Sequence, residues 1–253
     1  MNKVSRFVPA VVIFLLTIVL WEAATTGFEI PRYVLPSPSD AVTRGWEEAP
    51  NLLRHARWSA TAAVLGFLLA LVIAVVAASL FVHVTLLERT FMPWAIIIQT
   101  IPIVAIAPLL TVWLGFGLAP KVAIAAIISF FPVLVNCIRG LRSIHSEHLE
   151  FMRMYSASWW QIFAWLRVPS SLSYLFAGLK VATTLSMVGA IVAEFMGSDR
   201  GIGFVIVQAA YRLDTTTTFA AIFYIAVVSM MFYQLVALLE RVTLYWPGAR
   251  GAT

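Results

Sequence analysis

Charge is what this sequence has least of. Of its 253 residues, 17 are Lys or Arg and 12 are Asp or Glu, 11% in all, against 61% hydrophobic residues. Soluble domains run near a quarter charged, so this composition cannot cover a water-facing surface, and a soluble fold is excluded. Strict alternation is missing too. The apolar stretches are continuous runs, which excludes a transmembrane β-barrel and its alternating segments of about ten residues. A single cysteine, Cys137, rules out an intrachain disulfide or a CxxC metal site and reads as a small buried hydrophobe. The surplus of five positive charges is scattered rather than clustered. No nucleic-acid partner is expected; such basic residues gather where loops meet anionic headgroups.

Reaction chemistry is equally sparse. There is no GxxxxGK[ST] run, so no loop to cradle phosphates, and the chain is expected to bind no cofactor itself. HExxH and GxSxG are absent, which removes support for zinc or serine hydrolases. His145 and His148 stand three apart on a polar loop, as solvated residues or a metal pair. No carboxylate occupies the middle of an apolar run; Glu22 and Glu194 lie near run ends. Proton-driven carriers place acids deep in their spans. The membrane interior therefore offers no obvious proton relay, the energy must come from elsewhere, and the chain does not read as an enzyme.

What is present is apolar length. About 20 helical residues cross the hydrocarbon core. Runs free of Asp, Glu, Lys and Arg, or nearly so, place six helices at about 7–26, 59–82, 91–114, 121–138, 172–194 and 218–239. The fold class is an all-α integral membrane protein, read as one transmembrane domain over 1–253. The first run also has signal-peptide features, a basic start and small residues at Ala23 and Ala24, but Glu22 sits in the would-be cleavage region. Met154–Leu166 lacks charge yet is short and crowded by Trp159, Trp160 and Trp165, so it is expected to lie at the membrane surface. With both termini inside, ten Lys/Arg, among them Lys3, Arg6 and Arg250, face the cytoplasm and seven face out. Two of the seven, Arg54 and Arg57, can snorkel at a boundary. In the outer loop 27–57, Ser39 is expected to cap a helix reaching about His55.

The most specific segment is LEFMRMYSASWWQIFAWLRVPSSLSYLFAGLKVA, Leu149–Ala182. It resembles the EAA loop of permease subunits of bacterial ABC importers: E-A-A, three residues, G, nine residues, I-x-L-P. Glu150 takes the Glu position, Phe151 and Met152 the two Ala positions, Ser156 the Gly position, and Leu166–Pro169 the closing motif. Both Ala positions are bulky and Ser replaces Gly. QTIPIVAIAPLLTVWLGFG, SFFPVLVN and AEFMGSDRGIGFVI look like the sulfonate, taurine, nitrate and thiamine-precursor branch of the same permeases.

The resemblance covers about residues 35–240 and implies much. The fold would be a type I importer permease with cytoplasmic coupling helices in loop 139–171. Its place would be the bacterial cytoplasmic (inner) membrane, with N- and C-termini cytoplasmic. A homodimer would work with two ABC ATPase subunits, which use the ATP and Mg, and with an extracytoplasmic substrate-binding protein. The solute would be small, a sulfonate, taurine, nitrate, pyrimidine or other anionic or heteroaromatic compound. Glu150, Arg153, Ser156, Ala157 and Pro169 would couple to the ATPase, Pro169 as a rigid break after a helix over 146–155. The competing reading is a secondary transporter or channel working alone, which needs no such loop.

Two further patterns remain. Gly66, Ala70, Ala74 and Ala78 line one helix face, and Gly178, Ala182, Ser186 and Ala190 another. Small residues at this spacing let helices approach closely, either within the subunit or between copies. Gln99, Ser129, Asn136, Thr183, Thr184 and Ser186 are polar candidates for a translocation path, or partners for carbonyls freed by Pro102, Pro108 and Pro132. Glu194 has the strongest claim to the path: near the outer boundary, before the Gly-rich turn GSDRGIG, it is expected to stay hydrated.

Overall fold

The computed structural model describes residues 3–244, with side chains from Val8 onward. Arg250, and the side chains of Lys3 and Arg6, lie outside the described residues. Regular structure among the described residues is helical: α1 Lys3–Gly27, α2 Pro38–Glu47, α3 Ala49–His83, α4 Thr85–Thr100, α5 Ile103–Leu114 and α6 Leu118–Arg142. Then follow α7 Ser146–Met154, α8 Trp159–Ile162, α9 Val168–Phe195, α10 Ile202–Tyr211 and α11 Thr215–Thr243. A π-helical turn, Phe163–Arg167, joins α8 to α9.

Five helical stretches are long and apolar enough to cross a membrane, and six if the bent pair α4–α5 counts as one span. Helix α3 has 35 residues. At 1.5 Å per residue it is roughly 50 Å long, more than the ~30 Å of hydrocarbon, so it projects beyond the bilayer.

Three expectations are corrected. The run 91–114 is not one continuous helix: α4 and α5 meet at 99°. Pro102 causes the break, because it forces the preceding Ile101 out of the helical region to φ −72°, ψ 126°. Pro169 is not a break either. The helical path is continuous over Trp159–Phe195, and the π-helical turn Phe163–Arg167 directly before Pro169 is the local adjustment that accommodates a proline without a break. Ser39 is not the cap of α2. Ser37 is, its Oγ accepting from the Asp40 N–H, and the helix ends at Glu47 rather than near His55. Pro50 then opens α3.

The centre of the molecule is α6, clasped by α3 and α9. On α3, Ala70, Ala74 and Ala78 have no exposed surface. A Cβ on Gly66 would stand 2.5 Å from the Ala125 Cβ and 2.9 Å from the Val122 carbonyl oxygen. On α9, Ala182, Ser186 and Ala190 are fully buried, and a Cβ on Gly178 would come within 2.9 Å of the Asn136 Cβ. Gly66 and Gly178 are thus packed against α6 of the same chain, while Ala190 packs with Ala62 of α3 and Ile202 of α10. Large side chains fill the wider gaps: Phe67, Leu134, Leu179 and Phe176 share one apolar cluster.

Candidate functional site

Chemistry is concentrated at the two ends of this bundle. At one end α6 runs out at Arg142, and the chain leaves the bundle to form α7. No residue of α7 is buried. Glu150 and Arg153 are exposed and three apart, on one face. Phe151, Met154 and Tyr155 are 58%, 81% and 75% exposed. The helix closes in a Schellman arrangement: the Ser156 N–H donates to the Arg153 carbonyl and the Ala157 N–H to that of Met152. Ser156 carries φ +53°, left-handed backbone that glycine adopts at no steric cost. Ala157 is half-buried, and Ser158 caps α8 in a reciprocal pair with Gln161.

The rest of the loop is held against the bundle. Trp159 packs edge-on to His83 at the end of α3, ring centroids 4.5 Å apart, and stacks with Phe163. Trp160 and Trp165 remain 67% and 71% exposed, an aromatic belt for the interface. Arg142 donates to both carboxylate oxygens of Glu88 and ties the start of α4 to the end of α6.

At the opposite end lies a buried polar clasp. Glu194 is 1% exposed, not hydrated as its position near a span end suggests. Its carboxylate accepts from the Ser59 hydroxyl at 2.8 Å and from the Gly203 N–H at 2.8 Å. The same Ser59 oxygen accepts from the Ile202 N–H at 2.8 Å, and His55 Nδ1 accepts from the Gly201 N–H at 3.1 Å. Three side chains on α3 and α9 therefore satisfy the orphan N–H groups at the start of α10, and the carboxylate meets the positive end of its dipole. Glycine is required there: a Cβ on Gly201, at φ +109°, would stand 2.1 Å from the Glu194 carboxyl.

The turn before α10 is gripped from α6. Lys121, 8% exposed, donates to Ser198 Oγ and to the Arg200 carbonyl. Arg200 lies 4.9 Å over the Trp58 ring and donates from Nε to Asp199, whose carboxyl this contact holds below the usual carboxylate range. Farther round, Arg44 of α2 donates to Thr217 and faces Asp214 at 3.5 Å. Burial works to raise the Asp214 carboxyl, but bonds from Thr217 and the Arg44 charge prevail and lower it.

The path candidates separate. Ser129, Thr183 and Ser186 are buried, their hydroxyls turned onto the carbonyls of Ala125, Lys180 and Thr183. Asn136 is half-buried and donates to the Pro132 carbonyl. None of these acceptors is the carbonyl that Pro132 frees, which belongs to Ile128. Gln99 and Thr184 are exposed, Gln99 in the last turn before the α4–α5 break. Sequence reading missed Ser59, His55 and Lys121. Lys121, a cation directly after Pro120 at the head of an apolar run, was the one available signal.

The profile of a family described as "binding-protein-dependent transport system inner membrane component" matches residues 70–244. The chain belongs to this family. It is a multi-pass membrane subunit of an ABC importer for a small solute, and not an enzyme. It is 35% identical to the riboflavin transport system permease protein RibX of Chloroflexus aurantiacus over 93% of this chain and 88% of that one. It is 31% identical to the formylaminopyrimidine transport permease protein ThiX of Halalkalibacterium halodurans, over 92% and 93%. The putative aliphatic sulfonates transport permease protein SsuC of Bacillus subtilis is 30% identical, over 94% and 85%. In fold, it is similar to a chain of the MetNI methionine ABC transporter in an inward-facing form, with TM-score 0.66 at 18% identity over 76% of this chain and 96% of that one.

Proposed function

We propose that two copies of this permease form a translocation path closed on the cytoplasmic side by two ATPase subunits, which bind ATP and Mg and dock on α7. Solute reaches the α10 end from an extracytoplasmic binding protein, and both termini lie in the cytoplasm. The observation that carries this reading is α7 itself. It is a nine-residue helix with no buried residue among the described residues, and it holds Phe151, Met154 and Tyr155 largely bare. Apolar surface held out in this way on a capped helix calls for a partner. Glu150 and Arg153 give that partner one charge of each sign. Relatives named for riboflavin, formylaminopyrimidine and aliphatic sulfonates support a small heteroaromatic or anionic solute.

The test is purification of the tagged chain from its native membrane. The expected eluate holds the permease and an ATP-hydrolysing subunit in equal amounts, with hydrolysis that rises when the cognate binding protein is added to liposomes. Recovery of the permease alone, moving solute down an ion gradient without ATP, would overturn the proposal in favour of a self-sufficient carrier.

A further inference from the structure

Beside the Glu194 clasp lies a cavity of about 420 Å³ between the α5–α6 turn, the end of α9 and the face of α3. That volume falls in the range of small-molecule sites. Its lining combines apolar side chains, Phe116, Leu118 and Met196, with two cations, Lys121 and Arg200. A second cavity of about 380 Å³ shares Trp58, Asp199 and Arg200 with the first and adds Arg54. Two cations, Lys121 and Arg200, thus line the first cavity against one carboxylate, Asp199, whose side chain is 73% exposed. Glu194 does not line the cavity; its carboxylate is engaged by Ser59 and Gly203.

The cations are placed rather than loose. Ser198 and the Arg200 carbonyl take two of the three Lys121 N–H groups, which fixes the ammonium at the cavity wall. The Arg200 guanidinium lies over Trp58, 4.9 Å from the ring centroid, and Asp199 takes its Nε, which leaves the terminal nitrogens for a second acid. A planar fork and a point charge lining the same cavity match an oxyanion.

We infer that this cavity is a solute site for a small organic acid, a sulfonate or carboxylate. Its acid group lies between Lys121 and Arg200, and its apolar body lies against Phe116, Leu118 and Met196. The inference rests on the proposed function, and it names the solute as an anion rather than a neutral heteroaromatic compound. The permease itself would then select for charge after the binding protein has released its cargo.

The probe is benzenesulfonate, with benzenesulfonamide as its neutral isostere. Each is titrated by equilibrium dialysis against the intact permease–ATPase complex in nanodiscs, without the binding protein. Saturable binding of the sulfonate is expected, with the sulfonamide at least tenfold weaker. Lys121→Gln removes the point charge and should weaken the sulfonate tenfold or more. Because Lys121 also holds the turn, Leu118→Trp serves as a second variant that fills the cavity from its apolar lining and leaves every polar contact in place; it too should abolish binding. No saturable binding to the wild type, equal affinity for the two probes, or undiminished binding in Leu118→Trp would each overturn the inference. Retention of the ATPase by the same preparation reports on the broader function separately, so a failed cavity and a failed assignment give different results.

Discussion

Ser59 of α3 and Glu194 of α9 are 135 residues apart in the chain, yet the serine hydroxyl lies 2.8 and 2.9 Å from the two carboxylate oxygens. The pair is an anchor for a third helix. Ser59 passes its lone pair to the Ile202 N–H while its proton goes to Glu194, and Glu194 in turn takes the Gly203 N–H. Ser59→Ala therefore orphans one buried N–H and half of a buried carboxylate. Leaving a buried polar group unsatisfied costs about 1–3 kcal/mol. The expected result is a lower melting temperature in detergent, read by exposure of the buried thiol of Cys137, the only cysteine in the chain. Glu194→Gln, which keeps shape and an acceptor oxygen, should fall between wild type and Glu194→Ala. Equal melting of Ser59→Ala and wild type would show that water replaces the hydroxyl and that the clasp is not dry.

Glycine in the same turn sharpens the point. Gly197 and Gly201 both have positive φ, +97° and +109°, so alanine strains the backbone at either. Only Gly201 also meets the Glu194 carboxyl, 2.1 Å from a built Cβ, whereas at Gly197 the nearest atom is a Phe116 ring carbon at 3.4 Å. Gly201→Ala should therefore fail to accumulate in membranes at the level of Gly197→Ala. The measurement is immunoblotting of both variants after matched expression. Equal levels would mean that the turn relaxes away from the carboxylate.

The two carboxylates noted in the sequence turn out to share one use, and neither use was legible there. Glu22 receives the Ser39 N–H at 3.0 Å and its hydroxyl at 2.7 Å, in the first turn of α2, as Glu194 receives α10. Their nearness to span ends was visible; that each end faces a helix N-terminus depends on contacts across 17 and 135 residues. Helix existence was legible wherever an apolar run exceeded about 20 residues, because the bilayer dictates that length. The α4–α5 bend was half legible. Pro102 marked the place, but the 99° turn depends on what the chain does after the break. The α7 loop was legible through its resemblance to the EAA pattern, in which Ser156 takes the glycine position; the left-handed backbone there is what that glycine position implies. Pro169 misled because the π-helical turn just before it lets the helix run through a proline that would otherwise break it.

Ser156 offers a stability gain. The position demands left-handed backbone, which costs a residue with a Cβ about 1–2 kcal/mol relative to glycine. Ser156→Gly removes that strain at the end of α7, and greater freedom of glycine in the unfolded chain offsets part of the gain. The expected result is slower hydrogen exchange at the Ser156 and Ala157 amides, which close the helix, with transport unchanged or improved. Faster exchange in the variant would show that the serine hydroxyl supplies something that backbone strain conceals.

Glu150 is the position where the proposed coupling is most open to test. The residue is exposed and its neighbours Phe151 and Tyr155 pack on each other, ring centroids 5.0 Å apart, rather than on the bundle. Replacing it by alanine should leave α7 helical, since alanine is the better helix former and the Schellman closure uses only backbone groups. Any loss must then come from a partner. Removing one member of a desolvated, hydrogen-bonded charge contact costs about 2–5 kcal/mol, well over a tenfold loss of affinity. Glu150→Ala is therefore expected to insert normally, to keep the thermal stability of the wild type, and to retain less than a tenth of the ATPase subunit on co-purification. Arg153→Ala should show the same pattern, weaker in proportion to its exposure at the rim. Both measurements come from one preparation, so a fold defect and a docking defect are told apart. If ATPase retention and stimulated hydrolysis match the wild type in both variants, the charges are solvated, and docking must rest on Phe151, Met154 and Tyr155.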